Sequence, residues 1–240
     1  AKLYNKYLGT YGDFGTFSFF YSHQITSGEG GMIVCHNKND YEILVSLRSH
    51  GWSRSNNTNQ YIKNAKKYPK LDPRYIFINQ GFNLRPTDVQ AAMGLSQFKR
   101  LNTFIKIRTK NRDLIIKSLK KDNRWKNQFN FVQVPKNIFP SYMGLPILLN
   151  KNMTKEIKKN LLLHLDSQGV ETRPILSGNF LNQPSLKLFD LHNKKLSFKG
   201  AQLIEDLGFL IGLHTKKISQ KNINLIKNSL FHIDKLNKSF

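Results

Sequence analysis

An α/β fold is predicted by three features of the sequence. Apolar, β-rich runs alternate with helical periodicity along the second half: strand character over residues 125–134, 142–149 and 170–175, and a helix over 154–168. A helical pattern rich in lysine and arginine, residues 101–121, precedes most of that alternation and has the character of a connection into a second domain. Glycines bound tight loops in the first half, at 28–31 and around Gly81. A chain of 240 residues holds one large domain or two small ones, and can bury a real core.

The bulk properties exclude more than they identify. The formal net charge is +23, a balance that can mark nucleic-acid or anionic-membrane binding. The lysines are spread along the whole chain, however, without an RNA-binding signature, zinc-finger spacing or a long basic tail. Solvated helix faces account for them, so neither nucleic acid nor membrane is expected as a partner. No apolar run approaches the roughly 20 residues of a membrane span, and the residues from Ala1 onward carry no signal-peptide pattern. A single cysteine, Cys35, excludes a disulfide within one chain and a cysteine-ligated metal or cluster. Its neighbours Ile33 and Val34 make it an expected core thiol. A reducing cytoplasm fits this composition.

In chain order, glycines at 9, 12 and 15 mark turns between short extended pieces, and Asp13 reads as a turn residue. Thr16 to Phe20 is an apolar run of the kind a buried strand makes. A polar knot follows, with His23, Gln24, Thr26 and Ser27, before Gly28-Glu29-Gly30-Gly31 hands the chain to a second strand over 32–35. Ser18 and His23 therefore lie where a strand ends in a glycine-bounded loop, a favoured place for catalytic groups. On periodicity alone, an ordinary β-hairpin with a satisfied histidine accounts for the same pattern.

Residues 40–49 read as a helix with Ile43, Leu44 and Leu47 on one side and Asp40 in its first turn. The segment 48–57 groups Arg48, His50, Trp52 and Arg54 among polar neighbours. That composition suits an anionic diphosphate, through arginine forks and an aromatic platform, and equally suits a surface loop around a half-buried tryptophan. A polar connector over 66–73 leads to strand character at 75–78, a turn at 81–85, and a helix opened by Pro86-Thr87-Asp88. Further on, Thr154 caps the helix of 154–168, an apolar run spans 207–213, and a basic amphipathic helix is expected over 220–238. His192, His214 and His232 share no ligand spacing, so no metal is expected.

Two stretches carry a resemblance. Ser18-Phe19 and Gly28-Glu29-Gly30-Gly31 match the S-F-x-x-x-K and G-E-G-G of the cofactor loop in the DegT-type, pyridoxal-phosphate-dependent sugar aminotransferases. Gly81-x-Asn83-x-Arg85 followed by Asp88-x-Gln90-Ala91-Ala92 resembles their second motif. The lysine of the first motif is His23 here, which is the mark of a 3-dehydratase branch of that family. Thr172-Arg173-Pro174, with Gly178-Asn179 and Gln183-Pro184, resembles the same branch.

The resemblance implies an α/β, fold-type-I PLP-transferase (aspartate aminotransferase-like). Residues 1–105 would be the carboxy-terminal portion of the large cofactor-binding domain and 106–240 the small carboxy-terminal α/β domain. No residue matches the aspartate that pairs with the cofactor ring, so the chain resembles the later part of a longer enzyme. The implied cofactor is pyridoxal 5'-phosphate or pyridoxamine 5'-phosphate, bound without a covalent tether because imidazole cannot replace the lysine in that link. Ser18, Asn83 and Arg85 inherit cofactor binding, the last two across the interface of a homodimer. Arg173, Asn179, His50 and Arg54 are the candidates for a nucleotide-linked 4-keto-6-deoxyhexose, with glutamate as amino donor. His23 is the implied acid–base that removes the C3 hydroxyl; GDP and CDP sugars both stay open. Serines and asparagines stand where the CDP-sugar relatives carry a cysteine-rich segment, which argues against an iron–sulfur enzyme. An aminotransferase homologue or an inactive fragment is the alternative.

Overall fold

The structure, a computed structural model, describes residues 1–55, 58–189 and 196–236. In chain order these form β1 (Lys2–Leu3), β2 (Lys6–Tyr7), β3 (Phe14–Ser18), β4 (Gly31–Cys35), α1 (Lys38–Leu47), α2 (Thr58–Lys67), α3 (Asp88–Phe98) and α4 (Leu101–Lys120). They continue with β5 (Phe129–Phe131), β6 (Ile138–Phe139), β7 (Gly144–Leu149), α5 (Lys155–Ser167), β8 (Thr172–Arg173), α6 (Lys199–Leu207), β9 (Gly208–Gly212), α7 (Gln220–Leu230) and α8 (Ile233–Leu236). Two units result: Ala1–Leu101 with Lys136–Pro140, and Asn102–Pro135 with Ser141–Phe240.

The second unit is built on an antiparallel sheet in the order β5-β7-β9-β8. Alternate residues of β7 point to one face, so Leu145, Ile147 and Leu149 are all buried, together with Phe209 and Ile211 of β9. Helices cover that face with residues four apart: Ile115 and Leu119 of α4, and Ile157, Leu161 and Leu165 of α5. Each such side chain contributes about 1.5–3 kcal/mol by leaving water. Thr154 caps α5 by accepting from the Ile157 amide at 3.2 Å, and Ser219 caps α7 by accepting from Asn222 at 3.1 Å. Beyond α4, the Asp122 carboxylate accepts from Arg124 at 2.7 Å and pairs with Lys227 of α7 at 2.9 Å.

In the first unit β3 and β4 form an antiparallel hairpin, with Phe14 opposite Cys35 and Ser18 opposite Gly31. β1 pairs with β2 on one side and with β6 on the other. Among the described residues the buried apolar side chains of this unit are few, Ile25, Val45 and Ile76, while Phe14, Met32, Ile33, Val89, Leu95 and Phe98 are exposed. The side chains of Asn37 and Thr87 cap α1 and α3.

Several expectations need correction. The strand of 16–20 is not buried: β3 runs 14–18 and exposes Phe14, Thr16 and Ser18. Cys35 is half-buried, its Sγ donating to the Asn37 carbonyl at 3.5 Å, rather than a core thiol. Ile43 is exposed, and α1 buries Val45 and Ser46 instead. Residues 75–78 form no strand: Pro73–Tyr75 is a 3-10 turn, and Phe77 makes an isolated bridge with Trp52. The strand of 125–134 shrinks to three residues and that of 170–175 to two. The final helix breaks after Leu230 before α8. Helices α2 and α6 were not expected. His192 lies outside the described residues.

Candidate active site

The loop between β3 and β4 carries His23 and is closed by its own backbone. Phe19 N–H donates to the Gly30 carbonyl at 2.8 Å, and Ser27 N–H donates to Phe19 at 2.9 Å. His23 N–H donates to Phe20 at 3.1 Å, which fixes the backbone under the imidazole. The half-buried His23 ring meets Phe20 edge-on at 5.8 Å and makes no hydrogen bond among the described residues. Ser18 ends β3, exposed, and its Oγ accepts from Phe20 N–H at 3.3 Å. The return of the loop is compact: Gly28 N–H donates to Thr26 Oγ1 at 2.9 Å, and Ser27 Oγ donates to the Glu29 carbonyl at 2.8 Å.

His50, Arg54, Asn83 and Arg85 form a second cluster in the same unit. Two stretches, 46–53 and 76–84, are stitched by backbone bonds, including His50 to Phe82 at 2.7 Å, Ser53 to Ile76 at 2.8 Å and Leu84 to Arg48 at 2.8 Å. Residues 48–53 of the segment expected as a surface loop are thereby anchored. Arg85 Nη2 lies 3.3 Å from His50 Nε2, and Arg85 Nε donates to Asn83 Oδ1 at 3.2 Å. The Trp52 ring carries the Arg54 guanidinium 3.8 Å from its centre and that of Arg85 at 5.3 Å, with His50 at 4.7 Å. Neither contact is to a carboxylate, so the Arg85 charge is not cancelled by them. Trp52 Nε1 is buried without a hydrogen-bond partner among the described residues. The donor set suits an anion beside a flat aromatic surface.

Arg173 and Asn179 lie in the second unit. Arg173 ends β8, and its guanidinium donates twice to the exposed Glu171 carboxylate, at 3.0 and 2.8 Å. Asn179 is buried: its Oδ1 accepts from Leu181 N–H at 3.2 Å and its Nδ2 donates to Gln202 Oε1 at 2.9 Å. The Asn179 backbone N–H donates to Glu205 at 2.7 Å. Its side chain is thus engaged inside the unit, shaping the loop after β8. Asn179, expected as a substrate-binding residue, has its side chain bonded within the loop after β8 and to α6. The carboxylate of Glu205 also accepts from Asn182 at 2.8 Å.

Sequence reasoning singled out neither Gln202 nor Glu205. Both lie on α6, whose pattern was not read as a helix. Trp52, expected as an aromatic platform or as the half-buried tryptophan of a surface loop, is the centre of its cluster through its contacts with Arg54 and Arg85. Among the described residues no group of three or more His, Cys, Asp or Glu could hold a metal ion.

The DegT/DnrJ/EryC1/StrS aminotransferase family model matches residues 1–226, and the chain belongs to that family. It is similar to GDP-4-keto-6-deoxy-D-mannose 3-dehydratase of Escherichia coli O55:H7 (strain CB9615 / EPEC), with 34% identity over 216 residues, 88% of this chain and 53% of that protein. A solved structure of the E. coli GDP-4-keto-6-deoxy-D-mannose-3-dehydratase with bound hydrated PLP matches with a TM-score of 0.79 at 31% identity, covering 96% of this chain and 57% of the other. Another, of GDP-4-keto-6-deoxymannose-3-dehydratase with a trapped PLP-glutamate geminal diamine, matches with a TM-score of 0.78 at 31% identity and the same coverage. The expected α/β PLP-transferase fold is therefore the fold of this chain. The chain spans about half the length of the curated relatives it matches.

Proposed function

We propose that the chain is part of a PLP-dependent 3-dehydratase that removes the C3 hydroxyl of a nucleotide-linked 4-keto-6-deoxyhexose. This places it in deoxysugar synthesis for lipopolysaccharide O-antigen, in the cytoplasm, as a homodimer using glutamate as amino donor. The observation that carries the reading is His23. It stands where the resembled motif has lysine, on a backbone-fixed loop, with no hydrogen bond to its ring among the described residues. The names of the relatives support the same substrate class, with GDP as the nucleotide.

The residues present fit the cofactor. Ser18, Asn83 and Arg85 would hold its phosphate, since the Arg85 guanidinium meets no carboxylate in the contacts described above. When bound, the cofactor supplies the electron sink for cleavage at C3. His23 supplies what an electron sink cannot, a proton carrier near neutral pH. One imidazole nitrogen takes a proton from carbon and then delivers it to the departing C3 oxygen, which leaves as water. Arg54, His50 and the Trp52 face suit the nucleotide diphosphate, and Arg173 suits a phosphate or the glutamate carboxylate.

Substitution at His23 tests the reading in the complete protein. His23→Asn should keep cofactor binding and lower ammonia release from glutamate and the ketosugar by roughly 10²–10⁴, the usual weight of a general acid–base. His23→Lys should make cofactor attachment covalent, fixable by borohydride, and divert part of the turnover to an amino sugar. Full dehydration by His23→Asn would overturn the role, and a stable amino sugar from the wild type would make the protein an aminotransferase.

A further inference from the structure

We infer that Gln90 is a positioning residue for His23, an inference that rests on the function proposed above. The Gln90 side chain does two things at once. Its Oε1 accepts from the Thr87 N–H at 2.9 Å and from Thr87 Oγ1 at 3.1 Å, closing the capping box in which Thr87 Oγ1 accepts from Gln90 N–H at 3.3 Å. Its Nε2 donates at 3.1 Å to the carbonyl of Glu29, in the return of the His23 loop.

That carbonyl is the point where the loop can be held. It already accepts from Ser27 Oγ, and Ser27 N–H donates to Phe19 at the loop's other end. The bond from Gln90 therefore ties a closed ring of the chain, 19–30, to the first turn of a capped helix. The loop also lies against α3 one turn further along: a Cβ at Gly94 would make ordinary contact with the Ser27 Cβ, at 3.8 Å. A glutamine does what a glutamate at the same place cannot. Both supply the acceptor of a capping box, but a carboxylate has no proton to give the Glu29 carbonyl. A residue needed only for the helix end would function as well or better as glutamate, since a negative charge favours a helix N-terminus.

The test compares wild type, Gln90→Glu and Gln90→Leu in the complete protein. It uses amide hydrogen exchange, the His23 Cε1–H resonance assigned with His23→Asn, and steady-state kinetics. Gln90→Glu should leave exchange over 88–98 and the melting temperature unchanged, and speed exchange at Phe19, His23 and Ser27 roughly three- to tenfold. It should broaden or double the His23 resonance and lower kcat at unchanged KM. Gln90→Leu should loosen both loop and helix start. Unchanged loop exchange and a single sharp His23 resonance in Gln90→Glu would overturn the inference, leaving Gln90 a cap. Faster exchange with an unchanged kcat would overturn it equally, since the tether would then not position His23. Absence of dehydration in the wild type would instead sink the proposed function, and the resonance would still decide whether Gln90 holds the imidazole.

Discussion

At the scale of single residues, the site depends on close backbone approach as much as on side chains. Gly51 has φ +82°, and a Cβ there would lie 1.8 Å from the Asn79 carbonyl oxygen. The glycine lets residues 49–53 run against 76–83, which is what brings His50 and Arg85 together from 35 positions apart. Gly51→Ala should cost more than about 2 kcal/mol, the sum of a disfavoured backbone and a displaced strand of chain. Urea denaturation of the variant checks it; a midpoint equal to wild type would show that the two segments can part without loss. The candidate residues themselves were legible, because Ser18, His23, Asn83 and Arg85 stand in short motifs. The Arg85–His50 pairing and the inward turn of Asn179 were not legible, since both depend on neighbours distant in sequence.

At the scale of elements, the polar caps were the clearest signals. Thr87 and Thr154 announce α3 and α5, because a hydroxyl before an apolar period can accept from an orphan amide. α2 was missed because its sequence, TNQYIKNAKK, is dominated by polar residues. The strand expected from Trp125 shortens because Trp125 stacks on Phe131 across a turn instead of extending the ladder. The junction of α5 with the start of α8 has a pH consequence. His164 stacks on His232 with ring centres 3.8 Å apart. Burial first, then the His232 and Lys235 charges, hold the His164 imidazole below its ordinary value. The native state therefore binds fewer protons than the unfolded chain below about pH 6.5, so stability is lost as pH falls from there through the lowered pKa. Between pH 8 and 5.5 the wild-type denaturation midpoint should fall further than that of His164→Phe. Equal slopes would show that the stacked pair carries no such coupling.

At the scale of the whole molecule, apolar side chains left exposed on the first unit, Val89, Leu95 and Phe98 among them, fit the proposed symmetric dimer. If Asn83 and Arg85 act on a partner's cofactor, mixing His23→Ala with Asn83→Ala should restore part of the activity lost by each alone, because one intact site forms per mixed dimer. No recovery in verified mixed dimers would place each site within one subunit. The division between what was written locally and what folding added follows from range. The sequence by itself determined the α/β class, the loop holding His23 and the capped helices, because these rest on glycine, capping and apolar periods that act over a few residues; the family showed there only as a resemblance of short motifs. Only the tertiary structure decided that β6 returns to β1, that Gln90 reaches Glu29, that two arginines share Trp52, and that Asn179 is held by α6. Those outcomes depend on which distant hydrogen-bond donors and acceptors meet once the backbone closes, and no local pattern encodes that.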